Sequence, residues 1–284
     1  VLSFYESFVF FCNVLFYFNK NNFGTYKAYL ELPFVDFNFK LNGAFYMKKT
    51  TTLKTIVSAM LIAGSTSLAF VPAAAQASEV NANLGATSNY IWRGYTQDGN
   101  IPSLNGGLDY SLDSGVYLGT WAATTGSTGT GTNFEVDLYG GYAGSVKSLD
   151  YNLGYVYYAY PNQKDVDFSE VYASVGMAGA TVGANMTVTE SAPGSKTGDL
   201  YLFASYGTNV TEDWSVSGTY GVQSFAESGA KSYSHINLAA GYKDFTFAID
   251  KAMGDGVPSG LKDSVNGKNS DPVLSVSYSK SFDL

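Results

Sequence analysis

The chain has one cysteine, one histidine and one arginine in 284 residues. With Cys12 alone, no disulfide framework is possible, and no His/Cys spacing for a metal exists. Seven prolines are spread thinly. No stretch after residue 77 has the about 20 consecutive apolar residues of a spanning helix. Basic side chains are also few. Residues 78–284 carry 10 Lys and Arg against 21 Asp and Glu, a net charge of −11. That balance excludes a nucleic-acid partner. No cofactor and no metal are expected. The stretch "DGVPSGLKDSVNGKNSD" has scattered Asp and Asn but lacks the ligand order of a calcium loop.

The first 46 residues stand apart. They hold 11 of the 19 phenylalanines, with much Asn, Lys and Tyr and no regular period. Such a composition matches translated AT-rich DNA, so 1–46 is expected to be a mis-assigned upstream extension; the alternative is an extra membrane anchor in "FVFFCNVLFYF". From Met47 a secretory signal is legible. "MKKTTTLK" is its basic part, "TIVSAMLIAGSTSLAFV" its apolar part and "PAAAQA" its small-residue cleavage site. Cleavage after Ala77 is expected, leaving 78–284 as the working domain.

What is plentiful in 78–284 is alternation. In "SEVNANLGATSNYIW", Val80, Ala82, Leu84, Ala86, Tyr90 and Trp92 fall on one face, and Asn81, Asn83, Thr87, Asn89 and Arg93 on the other. Period two over about ten residues, followed by a turn, is a strand pattern. It recurs twelve times, at roughly 80–94, 102–112, 116–124, 133–144, 150–160, 168–178, 180–190, 199–207, 214–225, 231–242, 244–254 and 272–284. The third, fifth and eighth have ambiguous faces. Connections alternate between long and short, the longest around 255–271. This predicts an all-β fold, a transmembrane antiparallel up-and-down β-barrel of about 12 strands, with long loops outside and short turns in the periplasm. An even strand count puts both termini in the periplasm and the chain in the outer membrane of a Gram-negative bacterium.

A soluble sandwich also alternates. Two features favour the membrane. The small, polar faces carry too little bulk to fill a protein interior. The apolar faces end in aromatics at a common level: Tyr110, Tyr142, Tyr151, Tyr206, Trp214, Tyr242 and Phe245 at one rim, with Tyr90 and Trp92 at the other. Such rings form girdles against outer-membrane lipid. The final strand "VLSVSYSKSFDL" places Tyr278, Phe282 and Leu284 on one face, with Lys280 free to snorkel. It resembles an insertion signal read by the barrel-assembly machinery.

"LGATSNYIWRGYTQ", followed by "PSLNGGLDYSL", resembles the TorF-type family of outer-membrane porins. Tyr90, Arg93 and Gly94 form its Tyr-x-x-Arg-Gly core, and "GLDY" at 107–110 and "YGGY" at 139–142 fit as well. The resemblance implies an outer-membrane barrel and a diffusion channel, with no particular substrate.

Alternation turns Arg93, Asp109, Glu135, Asp137, Glu170, His235 and Asp250 toward the lumen. Arg93 either ties its strand to Glu135, Glu170 or Asp250, or forms a charged constriction with them; the two roles are compatible. A passive channel for small hydrophilic solutes or ions, modestly cation-preferring, is the expected function. The rivals are a non-conducting structural or loop-presenting barrel and a barrel-embedded hydrolase using His235. No G-x-S-x-G nucleophile motif is present, and no enzyme is expected. Intact-mass measurement of the native protein is expected to give a chain beginning at Ser78, with no peptide from residues 1–46.

Overall fold

A computed structural model of the chain describes residues 8–10, 14–20, 26–31, 79–97, 99–126, 133–190, 195–257 and 271–284. The expected signal peptide at 47–77 and most of the loop around 255–271 lie outside them. The chain divides into two units, Val1–Thr51 and Thr52–Leu284. In the first, β1 (Phe8–Phe10), β2 (Val14–Lys20) and β3 (Tyr26–Glu31) pair as an antiparallel meander.

The second unit is a closed antiparallel barrel of twelve strands. Its wall begins with β4 (Glu79–Thr87). A short hairpin follows, β5 (Ile91–Trp92) and β6 (Tyr95–Thr96), which pairs only with itself. The wall resumes with β7 (Ser103–Ser111), β8 (Val116–Thr125), β9 (Asn133–Val146) and β10 (Leu149–Ala159). It continues with β11 (Phe168–Met177), β12 (Ala180–Thr189), β13 (Leu200–Asn209) and β14 (Trp214–Ser224). β15 (Tyr233–Tyr242), β16 (Phe245–Met253) and β17 (Val273–Asp283) complete it. β17 pairs back onto β4, from Ser277 opposite Thr87 to Asp283 opposite Asn81. Closure leaves no unpaired edge, which is what lets strands cross a bilayer.

The outer face is apolar and exposed. Leu84, Leu104, Leu118, Leu153, Leu238 and Leu274 are each at least 55 % accessible, in six different strands. In water so many bare leucines would be an unexplained liability; around a closed barrel they form a hydrocarbon-facing surface. At the short-turn end the outer face carries aromatic contacts between strands. Tyr142 and Tyr151 rings lie 6.0 Å apart, Trp214 and Tyr242 4.7 Å, and Phe245 and Tyr278 5.1 Å. Tyr110 and Tyr206 are exposed on the same face, as are Phe282 and Leu284 beyond it. Lys280 ends there in a 2.9 Å ion pair with Asp244.

Two expectations change. The first strand stops at Thr87, not at 94. The Thr87 hydroxyl donates to the Asn89 carbonyl and accepts from its N–H, a local turn that takes the chain out of the ladder. The alternation therefore breaks there, and Tyr90 and Trp92 do not join an outer girdle. Tyr90 is 2 % exposed, and Trp92 packs edge-on against Tyr158 and Phe168 inside the barrel. The inner face is also bulkier than its polar pattern implied. The strands with ambiguous faces, β8, β10 and β13, point Tyr117, Trp121, Tyr158, Tyr201 and Phe203 inward. In β10 and β13 aromatic residues on both faces hid the sidedness.

An arginine on the outer face tests the membrane orientation. Leu238→Arg, at the middle of β15, is expected to lower barrel stability in lipid by about 2–4 kcal/mol. Asn237→Ser, on the inner face next to it, should cost less. Refolding equilibria in lipid vesicles compare them.

Candidate functional site

The site is the lumen at the long-loop end, where the β5–β6 hairpin folds inward. Trp92, Arg93, Gly94 and Tyr95 make a two-residue turn with both central residues at positive φ, 48° for Arg93 and 90° for Gly94. This is the turn geometry that matches strand twist, and Gly suits its second position. A side chain at Gly94 would meet His235 directly, since a Cβ there would lie 2.4 Å from the His235 Cβ. Glycine thus lets the turn rest on β15.

The turn delivers Arg93 to the middle of a polar network. Its Nη1 donates to Glu170 Oε1 at 2.9 Å and to Gln223 Oε1 at 3.0 Å, and its Nη2 donates to Glu170 Oε2 at 2.6 Å. The guanidinium carbon lies 4.2 Å from the Trp92 ring centre and 4.3 Å from that of Tyr201. Glu170 also accepts from Asn185 at 3.1 Å and from the Tyr158 hydroxyl at 3.3 Å. Burial pulls the Arg93 pKa down, but the Glu170 carboxylate outweighs it, and the group is held more firmly charged than in water. Of the three carboxylates open to Arg93 from sequence, Glu170 takes it.

The other inward residues fall around this centre. Glu135 accepts from Tyr90 at 2.7 Å and from Tyr160 at 2.5 Å. Burial, then the Glu135 charge, pushes both phenols well above their ordinary pKa. Asp137 is buried two residues on from Glu135, and its Oδ1 has no partner among the described residues. Asp250 accepts from Asn237 at 2.9 Å through Oδ2, and its Oδ1 is likewise unpartnered. His235 Nε2 meets the Tyr201 hydroxyl at 2.8 Å, with no serine against the ring nitrogens among the described residues. Gly221 makes room for that pair, lying under both rings. Asp109 sits apart, deeper toward the short-turn end, bonded to Tyr139.

Sequence reasoning missed Tyr90, Trp92, Tyr158, Tyr201 and Gln223 as members of the site. Tyr90 and Trp92 were assigned to lipid, and an alternating pattern carries no sign of where a strand leaves its ladder. Among the described residues no group of three or more His, Cys, Asp or Glu side chains converges as a set of metal ligands. Among the described residues no helix is long and apolar enough to cross a membrane, which says nothing of a barrel.

The arrangement can hold a hairpin across the lumen through one buried ion pair. Arg93→Ala leaves Glu170 charged and uncompensated, and is expected to cost about 3–5 kcal/mol of stability. Arg93→Lys should recover part of this, because an ammonium cannot present the planar fork that holds Glu170 and Gln223 together. Glu170→Gln introduced into Arg93→Ala should also recover part, by removing the stranded charge. Denaturant unfolding of the refolded barrel measures all four proteins.

No curated protein matches the chain. Outer-membrane phospholipase A from Escherichia coli matches at 12 % identity and a TM-score of 0.38, over 72 % of this chain and 96 % of that one. The phospholipase of Salmonella typhi matches at 13 % and 0.39, over 79 % and 97 %. The outer-membrane protein opdK from Pseudomonas aeruginosa matches at 15 % and 0.34, over 72 % and 66 %. At these identities the likeness concerns barrel architecture alone. It nonetheless corrects one expectation. The chain was read as no enzyme, yet barrels matched to it include a phospholipase as well as an outer-membrane protein of another kind. Nothing of the phospholipase's activity passes to this chain. Residues 72–261, more than half of the chain, match the model of a bacterial family of unknown function, Gcw_chp. The chain belongs to that family.

Proposed function

We propose that the protein is a narrow channel of the outer membrane, passing small hydrophilic solutes or ions, with both chain termini on the periplasmic side. The observation that carries this is the opposition of the two faces of one wall. An apolar outer surface encloses a lumen lined by charged and amide side chains, from Asn81 and Asp109 at the short-turn end to Glu135, Asp137 and Asp250 at the other. Charge inside a barrel that presents leucine outside is the pattern of a polar passage. The TorF-type resemblance at Tyr90, Arg93 and Gly94 supports the same reading. So does the sidedness of the loops, long at one end and short at the other.

Selectivity follows from charge. Arg93 is matched by Glu170, which leaves Glu135, Asp137, Asp250 and Asp109 as the uncompensated acids of the inner wall. Carboxylates along a passage raise the local concentration of cations. A channel for acidic solutes would need several lumenal Arg or Lys, and the chain has a single arginine.

A second reading has its own observation. Arg93, Glu170, His235 and Asp250 are each 2 % exposed or less, so the long-loop half of the lumen is packed. That favours a barrel that does not conduct and whose work lies in its walls or loops. Planar-bilayer recording on refolded 78–284 separates the two. Small unitary currents with a reversal potential on the cation side are expected under a salt gradient. An anion preference would refute the selectivity, and silence at all voltages would support the non-conducting barrel.

A further inference from the structure

The β5–β6 hairpin differs from every other strand pair of the second unit in how it is held. It makes no ladder with the wall. Its own two strands pair with each other, and Gln97 N–H closes back onto the Tyr90 carbonyl at 2.8 Å. One backbone bond leads from its end to a neighbouring loop, Gly126 N–H to the Gln97 carbonyl at 3.2 Å. Side chains attach it further. Arg93 reaches Glu170 on β11 and Gln223 on β14, and Tyr90 reaches Glu135 on β9. Trp92 packs on Phe168 and Tyr158, and Tyr95 lies 6.0 Å from the Tyr233 ring.

The seat beneath it is unusual. On the inner face of β16 and β17 Asp250 stands among small side chains, Thr246, Ala248, Ala252, Ser275 and Ser277. Tyr95 packs against the cluster of Tyr233, Ala252 and Val257 there. In and beside the turn two polar atoms are buried without partners among the described residues, Arg93 Nε and His235 Nδ1, and Asp250 Oδ1 on β16 is a third. Burying polar atoms unsatisfied is costly. The seated state thus combines a strong latch with a penalised floor, which is the composition of an element with two positions.

We propose that the hairpin 90–97 is a displaceable plug latched by Arg93, and that its release opens the long-loop end of the lumen along the small-residue wall of β16 and β17. The inference builds on the channel reading, since it supplies the route through the packed half of the lumen. Release uncovers His235 on β15 and the wall of β16 that carries Asp250, so the opened path would receive small cations past a carboxylate.

Thiol accessibility tests this independently of conductance. Ala252 is fully buried, in the cluster with Tyr233 and Val257 against which Tyr95 packs. On a Cys12→Ser background, the Ala252→Cys thiol is exposed to a small, charged methanethiosulfonate reagent, with the folded barrel checked by its mobility on unheated gels. Slow labelling is expected with Arg93 present. Adding Arg93→Ala should raise the rate by at least about tenfold, as loss of the latch shifts a two-state equilibrium. Gly94→Ala, which forces the turn off His235 without altering charge, should act in the same direction. Should Arg93→Ala not refold, Arg93→Lys carries the comparison, with a smaller rise. Equal labelling rates in all the folded variants would overturn the plug, as would a parent protein that conducts freely while its Ala252→Cys thiol stays unlabelled. Fast labelling in the unlatched variants without any current would retain the plug and remove the channel.

Discussion

A guanidinium and a carboxylate buried in the same lumen, 2.6 Å apart, organise the long-loop half of this barrel. Taking both charges out of water is costly, and only a full set of partners offsets it. Glu170 receives donors from Arg93, Asn185 and Tyr158; Arg93 in turn is shared with Gln223 and lies beside the rings of Trp92 and Tyr201. One ion pair thereby ties β10, β11, β12 and β14 to a hairpin that makes no ladder with the wall. Arginine suits the position because its planar fork addresses several acceptors at once and stays charged. Fifteen lysines elsewhere could not replace it.

The lumen has two kinds of wall. β8 to β11 and β13 present Trp121, Tyr139, Tyr158, Phe168, Tyr172 and Tyr201, while β16, β17 and the end of β4 present alanine, serine and threonine. The hairpin fits between them, with Trp92 toward the aromatic side and Tyr95 toward the small one. A barrel with uniformly large inner residues would leave no room for it. A uniformly small lining would give it nothing to pack against. Shape and charge thus address the same short segment from opposite sides.

Much of this was legible before any coordinates. Twelve alternating segments placed the wall strands within a residue or two at most ends, because a two-sided strand in a barrel has one face for lipid and one for the lumen. The inward direction of Arg93 was also legible, though for a reason that does not hold: it follows from a turn at positive φ, not from continued alternation with Trp92. What could not be read was the departure at Thr87. Its signal is a side chain bonding to backbone two residues on, which leaves no periodic trace. Where both faces carry aromatics, as in "YNLGYVYYAY", period alone does not say which face a tyrosine takes. Choosing Glu170 over Glu135 and Asp250 needed the third dimension.

The seam between β17 and β4 joins the two ends of the domain, with Ser277 against Thr87 and the Leu284 N–H donating to the Val80 carbonyl at 2.9 Å. Every other neighbouring pair in the wall is close along the chain, so sheet growth can proceed hairpin by hairpin at low entropic cost. The seam is different: its partners are separated by nearly the whole domain and meet only when the last strand exists. Until then the growing sheet keeps two open edges, each able to accept a foreign strand. Barrel formation is therefore timed by β17, eleven residues long, and a barrel lacking that strand would be an aggregating sheet in place of a smaller barrel.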